Sequence, residues 1–244
     1  MYYIGLVFHG TLQSWGAVNL ADVNKNSPRN TYMLPTKSAI LGILRSAIGN
    51  QRSDEEDLFE LKDIRIITRT DRQGYIARDY NVAERTHHGF KAGKTKEIPK
   101  FFLEDATFVT LIGHENLETI RFLKEKLSNP MWSPFLGRRA HVPTLPLVLG
   151  DISTEKPREF LEQLPIFWDK TDGKIKSVLY TDSVYSPSDN KLTMTDFPVN
   201  FNPKKRNYLT TKYGQYTKQH STDKPSLIPL DTFTLITESF KNVN

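Results

Sequence analysis

The order of apolar patterns over residues 2–149 constrains the fold of this 244-residue chain more than any other feature. YYIGLVF, residues 2–8, is a continuous β-branched and aromatic run, the mark of a buried strand. In LPTKSAILGILRSAIGN, residues 34–50, Pro35 ends the preceding chain and Thr36 suits an N-cap. Ile40, Leu41, Ile43, Leu44, Ala47 and Ile48 then form a stripe at helical spacing, and Gly49 closes it. IRIITRT, residues 64–70, alternates like a half-buried strand, with a turn at Asp71–Gly74 and a return strand through Tyr75–Val82. FFLEDATFVTLI, residues 101–112, reads as one strand. A second helix carries Leu117, Ile120, Leu123 and Leu127 on one face before Asn129-Pro130 stops it, and Val142–Leu149 predicts a closing strand.

Strand, helix, strand, strand, helix, strand is the ferredoxin-like order, shared with RNA-recognition sheets. The expected class is therefore α+β, with a ferredoxin-like domain over residues 1–150. ERTHHGFKAGKTKEIPK, residues 84–100, is basic, glycine-containing and aperiodic, and predicts a protruding loop. The segment from Gly10 to Leu34 is too long for a plain connection, so it serves function or covers an edge. Residues 151–244 begin with a short helix at Lys156–Leu164 and continue in turn-broken strands, which predicts a smaller, mostly β domain.

Neither a secretory pattern at MYYIGLVFHG nor an apolar run of about 20 residues is present, so the expectation is a soluble, cytoplasmic protein without membrane contact. The chain has no Cys, which removes disulfides and thiolate metal sites. The net charge of +5 is mild, but its distribution is not uniform. Between Phe197 and Thr222 there is no carboxylate, while Lys204, Lys205, Arg206, Lys212 and Lys218 alternate with Tyr208, Tyr213 and Tyr216. Such a segment suits phosphates and base stacking, or equally a solvated hairpin with ordinary strand tyrosines.

The six His show neither an HExxH nor another metal-ligand spacing, and no G-x-S-x-G, Walker A or G-x-G-x-x-G motif occurs. No metal or cofactor is expected. One enzymatic reading survives, a metal-independent endoribonuclease, for which Tyr80, His87, His88, Lys94 and Lys96 supply a base, an acid and cations. The same residues serve a loop that only lies along a phosphate backbone, and binding is the favoured reading. The RNP1 pattern is absent, so RNA contact is expected through loops and edges.

Four motifs, LQSWG (12–16), LPTKSAILGIL (34–44), RDYNV (78–82) and FLGRR (135–139), occur in an order and at separations that resemble the CasD family. That family is a subunit of the type I-E CRISPR surveillance complex, Cascade. The likeness is strong over residues 2–150 and weaker beyond. It implies a ferredoxin-like, repeat-associated-protein fold with a thumb-like insertion at 84–100. It also implies a non-catalytic subunit that grips the 5′ handle of crRNA, caps a filament of CasC backbone subunits, contacts the large CasA subunit, and meets target DNA only through the complex. A related branch in type I-C systems cuts its precursor RNA with Tyr, His and Lys, so the resemblance keeps open the alternative of a metal-independent endoribonuclease that processes CRISPR repeat RNA.

On this resemblance the candidate RNA-binding residues are Gln13, Trp15, Arg29, Thr36, Lys37, Ser38, Arg78, Asn81, Lys94, Lys96, Arg138, Arg139, Lys204 and Arg206. Thr36, Lys37 and Ser38 offer an anion site at a helix N-terminus, or a plain N-cap. Trp15 either stacks on a handle base or packs inside. Gly137 permits a close turn, after which Arg138 and Arg139 present forks that match phosphate oxygens. Neighbours on a strand face opposite sides, so only one arginine is expected to touch RNA fully; the alternative is that one of the two pairs with a carboxylate of the C-terminal part.

Overall fold

β1 (Tyr2–His9) lies inside a sheet that is covered on both faces, which explains its unbroken apolar run. The computed structural model describes residues 1–16, 30–51, 61, 63–84, 95–167, 174–182, 191–200, 207–221 and 229–243. β1 pairs antiparallel with β8 (Thr107–His114) and with β9 (Val148–Ser153), and β8 pairs antiparallel with β5 (Arg65–Arg72). The order β9-β1-β8-β5 carries two helices on one face: α1 (Lys37–Ile48) after β1 and α2 (Leu117–Ser128) after β8. Thr36 caps α1 by accepting from the Ala39 amide at 3.2 Å, and Asn116 caps α2 by accepting from Glu118 at 2.8 Å. Ile4, Leu6 and Phe8 of β1 pack with Ile40, Leu41, Leu44, Ile120 and Leu123 from these helices.

The opposite face is covered as well. Tyr3 and Val7 of β1, with Val109 and Leu111 of β8, pack against α3 (Pro157–Gln163) and α4 (Pro229–Lys241) through Leu161, Ile236 and Phe240. β5 is accordingly buried on both sides rather than half-buried. Base stacking on this sheet face is sterically closed, because α3 and α4 occupy it.

Four expectations need correction. β5 and β6 (Tyr75–Glu84) do not form a hairpin; β6 pairs with β7 (Thr95–Glu104) in a separate three-stranded sheet with β2 (Leu12–Gln13). FFLEDATFVTLI is two strands, because Asp105 adopts φ 54° and turns the chain between β7 and β8. Residues 95–100 of the expected loop are strand, and residues 85–94 lie outside the described residues. The closing strand is β9, beginning only at Val148.

A boundary at 150/151 would cut β9. The C-terminal strands continue the same sheet: β10 (Lys174–Asp182) pairs with β5, β12 (Asn207–Ser221) with β10, and β11 (Lys191–Asn200) with β12. Seven strands thus share one sheet. Tyr213 is buried in the core, and Tyr216 lies under the Arg158 guanidinium at 3.9 Å, so neither ring is presented as a stacking platform. Among the described residues no helix is long and apolar enough to cross a membrane.

Candidate nucleic-acid interface

Three of the four motifs meet on β7. β6 carries RDYNV, and its Arg78 stands opposite Phe101 in register. Gln13 of LQSWG pairs with Leu103, two residues further along β7. FLGRR then crosses LQSWG: the Ser14 amide donates to the Leu136 carbonyl at 2.9 Å, and Arg138 donates to the Phe101 carbonyl at 2.8 Å. Gly137 makes the crossing possible. Its φ is 93°, and a Cβ there would lie 1.6 Å from the Ser14 carbonyl oxygen. The fourth motif joins through β3 (Trp15–Gly16), which pairs with β4 (Thr31–Tyr32) just ahead of LPTKS.

The exposed chemistry of this junction is cationic and aromatic. Period-two alternation puts Ile76, Arg78, Tyr80 and Val82 on one face of β6, and all four are exposed. The Tyr80 phenol is hydrogen-bonded to Glu97, which raises its pKa above the usual range and keeps it protonated. Its exposed ring and phenol form an amphipathic surface. Arg139, next to Arg138 in sequence, is exposed on a turn, and Lys100 stands opposite Asp79. Asn81 donates to the Asp79 carboxylate.

Several candidate residues are turned inward. Gln13 is fully buried; its amide donates to the Ala106 carbonyl at 2.6 Å and its carbonyl accepts from the Trp15 indole at 3.2 Å. Trp15 is fully buried too, with its ring centroid 5.3 Å from Phe8, so it packs and does not stack on a base. Thr36 is buried and capping α1, and Lys37 is buried beside it. Ser38 is half-buried with its hydroxyl 3.2 Å from that of Thr36. The Thr36 hydroxyl is thus committed to capping α1. Arg138 and Arg139 lie in irregular chain, so strand alternation does not separate them; Arg138 donates to a β7 carbonyl. Arg29, Lys94, Lys204 and Arg206 lie outside the described residues, as do His87 and His88, and the Lys96 side chain is likewise not described. Sequence reasoning missed Ile76 and Val82 as partners of Arg78; their i, i+2 spacing around RDYNV was the available signal.

His141 closes the loop from beneath. Its amide donates to Arg138 and its carbonyl accepts from Leu136, while the ring is buried against Phe102 with Nδ1 unpartnered. Burial and the neighbouring Arg138 guanidinium hold its pKa below the usual His value, against an opposing hydrogen bond at the Leu136 backbone. His9 is lowered in the same direction by burial and then by Arg72. In both cases the unfolded chain takes up the proton first. Stability is therefore full above the unfolded value near 6.5 and falls as pH drops below it. Melting temperature is expected to decline as pH drops below about 6.5, and His141→Asn should flatten that slope while lowering the plateau.

Against known proteins, this arrangement defines a CRISPR-associated protein. The model for "CRISPR-associated protein (Cas_Cas5)", in its Cas5d form, matches residues 3–212. The CRISPR system Cascade subunit CasD of Escherichia coli (strain K12) is 29% identical over 174 residues, covering 65% of this chain and 75% of that protein. The chain belongs to the Cas5 family and is CasD-like within it. Two solved structures share the fold. A chain of a CRISPR RNA-guided surveillance complex superposes with a TM-score of 0.78 at 22% identity, over 97% of this chain and 99% of that one. A crystal structure of a Cas protein gives 0.63 at 24% identity, over 93% and 100%.

Proposed function

We propose that this chain is the non-catalytic RNA-binding subunit of a type I-E Cascade complex, gripping the 5′ handle of crRNA and capping the backbone filament in antiviral defence. The observation that carries the reading is the convergence of RDYNV and FLGRR on β7: Arg138 holds the carbonyl of Phe101, the residue that stands opposite Arg78, and the next residue, Arg139, is exposed. Guanidinium groups bind phosphate oxygens through charge-assisted bonds, and the exposed Tyr80 beside them offers a face to a base. The β6–β7 pair, inserted between β5 and β8, is the thumb of a ferredoxin-like core in this reading, and the order β9-β1-β8-β5 supports that core. CasC, CasA and the crRNA handle are the partners that the CasD likeness brings, target DNA is met through the complex, and the setting is cytoplasmic.

Cleavage is the reading to test against. Purified protein incubated with repeat RNA, in EDTA and in magnesium, is expected to leave the RNA intact. Site-specific cutting that disappears in a His87→Ala, His88→Ala double variant would overturn the non-catalytic role.

A further inference from the structure

β9 ends the seven-stranded sheet, with β1 on one side and no strand on the other among the described residues. Its outer edge forms the floor of a groove of about 980 Å³. One wall is α2, through Leu127, and the other is α4, through Phe233 and Thr237. These helices cover opposite faces of the sheet, so the groove opens along the strand edge itself. Val142 and Pro143 form the rim, on the same segment that carries Arg138 and Arg139.

We propose that this groove receives an extended segment of a neighbouring protein subunit, which adds to β9 as a further strand. Main-chain chemistry points to a strand. The Thr154 amide bonds inward to Met1, and alternation along an antiparallel ladder then turns the amides of Asp151 and Ser153 outward. An exposed edge of this kind is a template for β-addition, with pockets for alternate side chains supplying specificity. Leu127, Phe233 and Phe240 set apolar patches in the walls among Ser128, Thr237 and the lysines, so the incoming segment carries apolar side chains where it meets those patches. Lys124 pairs with Asp151, which leaves Lys241 as the net charge among the lining residues and favours a carboxylate on the partner. A phosphate backbone would need a row of cations that this groove lacks, so protein is favoured over RNA.

The inference rests on membership in an assembly, and the test separates the two. Amide hydrogen exchange is measured on the free chain and on the complex purified with the neighbouring Cascade subunits. The amides of Asp151 and Ser153 are expected to gain about tenfold or more protection in the complex. Val142→Asp, at a position 62% exposed, should abolish that gain without lowering the melting temperature or the affinity for handle RNA. A photocrosslinker at Val142 should capture a protein segment. Unchanged exchange in an assembled complex, or capture of RNA at Val142, overturns strand addition while leaving the RNA-binding role intact. Failure of the unmodified chain to assemble overturns the assembly reading and this inference together.

Discussion

Arg69→Ala is expected to destabilise the protein by about 3–5 kcal/mol, which for a chain of this size lowers the melting temperature by about 6–20 °C. Arg69 is fully buried on β5 and faces α3. It forms a two-pronged pair with Asp71, at 2.6 Å and 2.9 Å, and donates to the carbonyls of Leu161, Leu164 (2.9 Å) and Pro165 (2.7 Å). Those carbonyls lie at the C-terminal end of α3, where a helix leaves acceptors unsatisfied and where a cation is favoured. Asp71 in turn accepts from the Phe167 amide at 3.0 Å. Removing the arginine leaves a buried carboxylate and three carbonyls without their donor, and it loosens the helix that covers the second sheet face. Replacing the ion pair by apolar residues, as in Arg69→Met with Asp71→Leu, removes the stranded charge but not the stranded carbonyls. The double variant should therefore recover only part of the loss. Chemical denaturation of the parent and both variants measures this, and full recovery in the double variant would show that the carbonyl contacts carry little.

Arg139→Ala is expected to weaken binding to the 5′ handle by about tenfold or more, since one charge-assisted bond contributes roughly 1.5–3 kcal/mol. The loss should be indifferent to base sequence, and the salt dependence of affinity should become shallower by about one counterion. Stability should hardly change, because Arg139 is exposed on a turn. Arg138→Ala should do the reverse in part: Arg138 holds the Phe101 carbonyl, so its loss lowers the melting temperature as the FLGRR loop detaches from β7. Handle affinity at two salt concentrations, beside melting curves for each variant, separates the two roles. Parent-like affinity and salt slope in Arg139→Ala would remove this residue from the interface.

Much of the core was legible because its forces are local. The α1 stripe, its Thr36 cap and the Gly49 stop follow from helix periodicity and end chemistry, and all three stand in the structure. What was not legible depends on partners distant in sequence. IRIITRT looks half-buried because it contains Arg69 and two threonines, yet α3 covers its polar face and Thr68 meets Thr110 at 3.0 Å. Gln13 looks like a surface contact because Gln is usually exposed, but the chain crossing at Gly137 and the β7 ladder enclose it. The likeness to CasD identified the motifs that meet, while only the three-dimensional register showed that Arg139 is presented and that Gln13, Trp15, Thr36 and Lys37 are not.

The most direct test of the central claim is co-purification of the full chain with the neighbouring Cascade subunits and an unprocessed repeat RNA, followed by nuclease footprinting of the RNA. The account predicts a stable complex in which the 5′ handle is intact and protected, with protection reduced by Arg139→Ala. A complex that forms equally well on RNA lacking the handle, or a handle left open to nuclease beside this chain, would contradict it.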